Sequence, residues 1–368
     1  MVLLVHNRYR TTGGEERAVA DLRWLIAEHM EEPVEVLERD SSELGRARAA
    51  LGLLRGGLNP EEVAEAVRRT GARVVHAHNV NPAFGRRALE AAQAAGARVV
   101  LHLHNYRLVC AVGTCFTRGE DCTRCHGRNT FPGVRLACRG PRVEAAVYGA
   151  GLALHQRRLA AAVDAFVVPS EFALRRLHDL GAPLGDRARV IASVQREFAE
   201  RSRAAAGSYA LYAGRLSYDK GVDIAVRACV VAGVPLIVAG AGPQEGELHE
   251  LARSADVRFE GLVGEDRLRE LRVGAALAIV PSRYAEIFPL AAAEAMAAGL
   301  PTVAFRTGGL DGFVPEDCLA PPGDKGALAE LIAARFADAE AGERALAAAR
   351  ARCAPDAVAA ALREVYGG

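Results

Sequence analysis

The stretch "ALAIVPSRYAEIFPLAAAEAMAAGLPTVAFRTGG", Ala276 to Gly309, holds two kinds of text in alternation. "ALAIVPS" and "PTVAFR" are short apolar runs, and the alanine-rich segment between them has helical composition. A strand, a helix and a second strand within roughly thirty residues make a βαβ unit, whose two strands lie parallel in one sheet. Two acids, Glu286 and Glu294, flank the start of a helix that otherwise reads as buried.

The same alternation runs outward along the whole chain. "VLLVH" opens it and "EERAVADLRWLIAEHM" is the first helix; "VEVLER", "RVVHAHN", "ARVVLHLHN", "AFVVPS" and "RARVIAS" are further strands. The pattern restarts with "YALYAG", "PLIVAG" and "VRFEG" before the opening stretch. Runs apolar on both faces suit parallel strands covered by helices on both sides. The fold class is therefore α/β, with two doubly wound Rossmann-like domains. The polar, small-residue segment Ser193–Ser208 separates them, giving domains at 1–195 and 205–352. Residues 353–368 form a short amphipathic helix able to pack on either domain, and 106–141 is the one irregular insert. Ligands of open α/β sheets sit beyond the carboxyl ends of the strands. Two such edges are expected to face one cleft.

Composition narrows the classes. The chain has 368 residues, 51% of them hydrophobic, and a net charge of +1. That balance gives no electrostatic footprint for nucleic acid. The start "MVLLVHNRYR" has no export signal, and no uninterrupted apolar run approaches membrane-spanning length. A soluble cytoplasmic protein is expected. The segment Val143–Val163 offers an apolar face for peripheral contact with the inner face of a membrane, although a core helix is the better reading.

The strand ends carry the chemistry. "GRLSYDKG" sets Arg215 and Lys220 around a strand-to-helix turn, a place for a polyanion such as a diphosphate; a solvated turn is the competing reading. "TTGGEE" puts Gly13 and Gly14 before a helix, where a ligand can approach the backbone, or where a plain turn stands. Pro289 suits a first helical turn, and the N–H groups of Phe288, Leu290 and Ala291 are expected to hold phosphate oxygens. Glu286 lies ahead of them and Glu294 about one turn beyond. Two acids at a helix start are also what the helix dipole favours. "HAHN" and "HLHNYR" place His76, His78, Asn79, His102, His104, Asn105, Tyr106 and Arg107 on neighbouring strand ends. Alternation puts each histidine pair on one face. The pairs also suggest a metal, but no acidic ligand cluster accompanies them.

"GRLSYDKG", "AGAGP" and the Glu286/Glu294 pair, in this order and each at a strand end, resemble the retaining glycosyltransferases of family GT4, which have the GT-B fold. "GG" near the N-terminus and "LHLHNYRLVC" fit the same family, and the resemblance covers nearly the whole chain. It implies that Glu286 contacts the donor sugar and Glu294 the nucleotide ribose. Arg215 and Lys220 would neutralise the departing diphosphate, approached from the first domain by Gly13 and Gly14. His104 would lie by the reacting sugar, with His78, Asn79, Asn105, Tyr106 and Arg107 on the acceptor side. Gly242 of "AGAGP", Ile287 to Leu290, and Leu262 and Val263 near the base would complete the donor site. Two departures are visible: "ASVQREF" stands where the family often has an Asn-Gly-Val-Asp-like segment, and "FPL" where many members have Phe-Gly. Pro289 has no N–H, so its neighbours must supply the phosphate contacts.

Five of the eight cysteines fall between Cys110 and Cys138. Without an export signal, such a cluster points to metal or redox chemistry before disulfides. Cys122-x2-Cys125, flanked by Cys110 and Cys138, suits tetrahedral structural zinc, with Cys115 and His126 as extras. An iron–sulfur cluster and free thiols are the alternatives. A closed four-thiolate site leaves no open position for catalysis. No Asp-x-Asp metal motif occurs, so no catalytic cofactor is expected.

The expected function is metal-independent transfer of a sugar from a nucleotide-diphosphate donor of UDP or GDP type to an acceptor hydroxyl. The acceptor is a glycan, a lipid-linked sugar or a small metabolite. The rivals are a nucleotide-sugar epimerase of the same fold and a non-enzymatic zinc-containing nucleotide-binding protein.

Overall fold

A computed structural model describes residues 1–9 and 13–367, which form two compact units. The first unit comprises Met1–Thr117, Cys122–Val194 and the tail from Pro355; the second comprises Arg118–Asp121 and Gln195–Ala354.

The first unit is built on β1 (Val2–Arg8), β2 (Val34–Asp40), β3 (Val74–His78) and β4 (Arg98–His102). A two-residue strand, β5 (Phe116–Thr117), precedes β7 (Ala165–Val168) and β8 (Ala188–Val190), while β6 (Glu120–Asp121) falls in the second unit. The sheet order is β2-β1-β3-β4-β7-β8, all parallel. Every residue of β3 and the first six of β1 are buried, as a sheet covered on both faces requires. Helices α1 (Gly14–Trp24), α2 (Arg46–Arg55), α3 (Glu61–Thr70), α4 (Gly85–Ala94), α5 (Phe131–Arg135), α6 (Arg142–Ala161) and α7 (Glu171–Asp179) accompany it. The expected first helix continues past Trp24 as a π-turn, Leu25–His29.

The second unit repeats the plan with β9 (Tyr209–Ala213), β10 (Leu236–Ala239), β11 (Val257–Gly261), β12 (Ala275–Val280), β13 (Thr302–Phe305) and β14 (Leu319–Ala320). Their order is β11-β10-β9-β12-β13-β14. The opening stretch of the sequence is the unit β12–α11–β13, with β12 and β13 parallel neighbours. Helices α8 (Val222–Ala232), α9 (Glu245–Leu251), α10 (Glu265–Gly274), α11 (Leu290–Ala297), α12 (Lys325–Arg335) and α13 (Ala339–Cys353) cover the sheet. Val222, Ala225, Cys229, Leu277, Val303, Phe305, Leu328 and Ile332 form its main core.

The C-terminal helix α14 (Pro355–Gly367) starts on a proline, whose missing N–H is no loss at a first helical position. Its residues Val358, Ala359, Leu362, Val365 and Tyr366 join Val2, Leu4, Leu22, Val74 and Val100 in the core of the first unit. Helix α6 buries Ala145, Tyr148, Leu152, Gln156 and Leu159 on one stripe, as the core-helix reading requires. No helix among the described residues is long and apolar enough to cross a membrane.

Candidate functional site

In each sheet the strand order reverses beside the first strand of the unit, between β1 and β3 and between β9 and β12. Connections leave such a pair of strands to opposite faces and open a crevice at their carboxyl ends. In the second unit that edge holds the "GRLSYDKG" turn after β9 and the Glu286 loop after β12. Lys220 Nζ lies 2.9 Å from Glu286 Oε1 and 3.4 Å from the Tyr284 hydroxyl. Burial pulls the Lys220 ammonium down, but the Glu286 carboxylate outweighs it and holds the ammonium well above its ordinary range. Ser282 donates to the same carboxylate oxygen. Burial, followed by Glu286, pushes the Tyr284 phenol up to about 12. The result is a fixed cation beside a fixed anion, the carboxylate buried and the ammonium half-buried.

Gly308 makes this arrangement fit. Its φ is +58°, and a Cβ there would stand 2.4 Å from the Glu286 backbone nitrogen. The neighbouring Gly309 N–H donates to the Glu286 carbonyl at 2.7 Å. The loop after β13 thus clasps the loop after β12. Gly242 has a comparable role: a Cβ would lie 2.3 Å from the Leu216 carbonyl, so this glycine lets the "AGAGP" loop pack on the turn carrying Arg215. The Arg215 side chain is exposed and 3.7 Å from Asp219. Leu262 is exposed and Val263 partly buried after β11.

Three second-unit expectations change. Pro289 stands at the N-cap, and the helix begins at Leu290. The Leu290 N–H is not available to a phosphate as expected, because it donates to the Phe288 carbonyl at 3.1 Å. Glu294 forms an ion pair with Arg272 of α10, a partner the sequence reading passed over. Ile287 is buried, and the Phe288 ring packs against Phe313 with centroids 5.3 Å apart.

The edge of the first unit is a histidine array. His6, His78 and His102 are register partners across β1, β3 and β4. His76 stacks on His78 at 4.7 Å between ring centroids, and His102 on His104 at 4.1 Å. His78 Nδ1 and His104 Nε2 are 2.8 Å apart, and His76 Nδ1 is 2.7 Å from the Tyr366 hydroxyl. Burial, then the neighbouring imidazole of His104, pushes His76 down to about 3; burial likewise holds His78, His102 and His104 well below the ordinary range. All are neutral rings at pH 7. Buried nitrogens without a partner remain at His6, His76, His78 and His102. Each such group costs about 1–3 kcal/mol.

Two acceptor-side expectations are corrected here. His78 and Tyr106 are fully buried and support the edge from within. Partly buried His104, Asn105 and Arg107 reach further out, with Asn79 behind them. Arg107 lies over the Tyr9 ring at 4.1 Å and donates to Asn79 Oδ1 at 3.2 Å; Asn105 donates to the Tyr9 hydroxyl at 2.9 Å. Tyr9 hydrogen-bonds Glu15, whose Oε1 is buried without a partner. Burial raises the Glu15 carboxyl to about 8. Sequence reasoning missed Glu15 because an acid in a first helical turn reads as a dipole partner. The Gly13 N–H donates to Glu16 Oε2 at 2.7 Å, so Gly13 is capped from its own helix; Thr11 and Thr12 of "TTGG" lie outside the described residues.

Cys110, Cys115, Cys122, Cys125 and Cys138 line one small cavity, and none forms a disulfide. The Gly113 N–H donates to Cys110 Sγ at 3.4 Å. Among the described residues, the group of three or more potential metal ligands whose ligand atoms all lie within 4.8 Å of one another is His76, His78 and His102, not these thiols.

Residues 207–338, which span the strands and helices around Lys220 and Glu286, match the family model of glycosyl transferases group 1. That match lies within the second unit and covers about a third of the chain. Among curated relatives, an uncharacterised glycosyltransferase of Methanocaldococcus jannaschii is 38% identical over 108 residues, 27% of each chain. Glycogen synthase of Mycobacterium tuberculosis is 36% identical over 187 residues, 46% of this chain and 44% of that one. D-inositol 3-phosphate glycosyltransferase 2 of Catenulispora acidiphila is 38% identical over 181 residues, 42% of each. The chain thus spans between 27% and 44% of the length of these relatives. The likeness of fold extends over the whole chain. The Anabaena protein HepE, solved with UDP, superposes with a TM-score of 0.65 at 17% identity, covering 100% of this chain and 99% of that one. Sucrose-phosphate synthase of Thermosynechococcus elongatus gives 0.67 at 19% identity, covering 100% and 98%. The two six-stranded parallel sheets are those of the GT-B fold.

Proposed function

We propose that this chain is a retaining glycosyltransferase that moves a sugar from a nucleoside-diphosphate sugar to an acceptor hydroxyl without a catalytic metal. The Lys220–Glu286 pair at the reversal of the second sheet carries the reading. As the glycosidic bond breaks, negative charge grows on the leaving phosphate and the sugar gains oxocarbenium character. Lys220 and Arg215 supply the positive charge, preorganised for Lys220 by Glu286, Ser282 and Tyr284. Glu286 accepts hydrogen bonds from sugar hydroxyls, and Glu294, held by Arg272, accepts from the ribose. His104, Asn105 and Arg107 of the first unit take the acceptor, a glycan, a lipid-linked sugar or a small metabolite. Support comes from the family match over 207–338 and from structures of like fold solved with UDP and with UDP-glucose. The five thiols around one cavity are a structural zinc site in this reading, with Cys110, Cys122, Cys125 and Cys138 as ligands.

The test is thermal unfolding of the purified protein with a panel of nucleoside diphosphates, each with and without a divalent-metal chelator. A ligand that binds only the folded state stabilises it by about 2.7 kcal/mol at a hundredfold excess over Kd. One diphosphate is expected to raise the melting temperature by the same increment in both conditions and to name the base. An increment abolished by the chelator, or absent for every diphosphate, overturns the metal-independent donor site. Ala substitution of Lys220 or Glu294 is expected to abolish transfer with the fold kept.

A further inference from the structure

We propose that His76, His78 and His102 form a buried three-imidazole site for a first-row divalent cation of the zinc class. The backbone brings the rings together. His78 and His102 face one another in register on β3 and β4, and His76 lies two residues earlier on the same face of β3. One ligand nitrogen from each falls within 4.8 Å of the others. Two zinc–nitrogen bonds of about 2.0–2.1 Å at the tetrahedral angle set their nitrogens about 3.4 Å apart, so the rings must turn and draw inward to close the set.

Hydrogen bonding separates this site from a stack of inert core histidines. His76 and His78 each use Nδ1, on Tyr366 and His104 respectively, and leave Nε2 buried with no partner. Both nitrogens of His102 are likewise unpartnered. A held Nδ1 with a bare Nε2 is how metal-ligating histidines are oriented, the held nitrogen fixing tautomer and ring angle. Neutral imidazole is the form that binds metal. No acidic partner is required: three imidazoles make a complete protein ligand set for zinc, with a water or substrate oxygen in the fourth position. The cation on His78 Nε2 leaves the His78 proton on Nδ1, donated to His104 Nε2. The remaining His104 proton is then on Nδ1, so the ion sets the tautomer of the outermost histidine of the array.

This site is independent of the thiols and of the transferase reading, and its test reads metal directly. The full chain is stripped by chelation, equilibrated with zinc chloride and freed of loose ion, and its zinc is counted by mass spectrometry. Affinity is measured against a chromophoric chelator. His102→Leu is expected to hold one equivalent less than wild type, whereas Cys122→Ser/Cys125→Ser keeps the histidine-dependent equivalent. Cobalt(II) in that cysteine variant is expected to show the visible bands of a tetrahedral nitrogen–oxygen site. Tyr366→Phe keeps the packing and removes only the hydroxyl on His76, and is expected to weaken zinc ten- to a hundredfold. Wild-type zinc content in His102→Leu overturns the proposal. If that variant does not fold, wild-type affinity in Tyr366→Phe overturns it instead.

Discussion

Lys220 is half-buried, and the buried Glu286 carboxylate 2.9 Å away offsets its desolvation cost. Removing one partner strands the other. Lys220→Met is therefore expected to lose about 3–5 kcal/mol in urea unfolding. Lys220→Met/Glu286→Gln should recover most of that loss while remaining inactive, which separates the pair's structural role from its chemical one. Glu15 gives a pH prediction of opposite character. Burial raises its carboxyl to about 8 in the folded protein, against about 4.3 in an unfolded chain. Between these values the folded state binds the extra proton, so stability falls as pH rises through the window. Glu15→Gln should flatten that slope between about pH 5 and 8 in chemical unfolding; an unchanged slope removes Glu15 as its source. Much of this was legible in the sequence: Lys220 and Glu286 stand at strand ends and do meet. Glu294 was legible as a site acid but not as the partner of Arg272. Helix α10, "EDRLRELRVG", offers several charges of each sign, and only the fold decides which of them turns inward.

Loops after adjacent strands hold the second-unit site together, and glycines set how closely they approach. An alanine at Gly308 meets two obstacles: a left-handed φ of +58° and a Cβ 2.4 Å from the Glu286 nitrogen. Gly308→Ala is expected to cost about 1–3 kcal/mol and to reduce stabilisation by nucleoside diphosphate, because relief must displace the Glu286 loop. Calorimetry with and without ligand checks both. The strands and most of the helices are readable from apolar runs and their spacing. The sheet orders are not, because the buried strands of a parallel sheet share one composition and pairing is a property of distant segments. The start of α11 moves by one residue because Leu290 donates back to Phe288, a local bond that no hydrophobic period reveals.

At the scale of the molecule, the sequence left open which domain the last helix joins. Its apolar stripe is equally suited to either, and the structure places it in the first unit. Ending the chain at Ala354 removes Val358, Leu362, Val365 and Tyr366 from that core. Each fully buried large side chain contributes about 1.5–3 kcal/mol. A domain stable by about 5–15 kcal/mol does not withstand the loss of four. The truncated chain is expected to lose the first unit's calorimetric transition and keep that of the second, which holds Gln195–Ala354 intact. The returning helix also bears on synthesis. Domains emerging from a ribosome generally fold as units, the earlier-made one first. Here every residue of the later-made unit has been translated before the first unit receives its final segment. The order of completion therefore inverts the order of translation, and the nascent first sheet waits, with part of its apolar face uncovered, until the segment from Pro355 has been made.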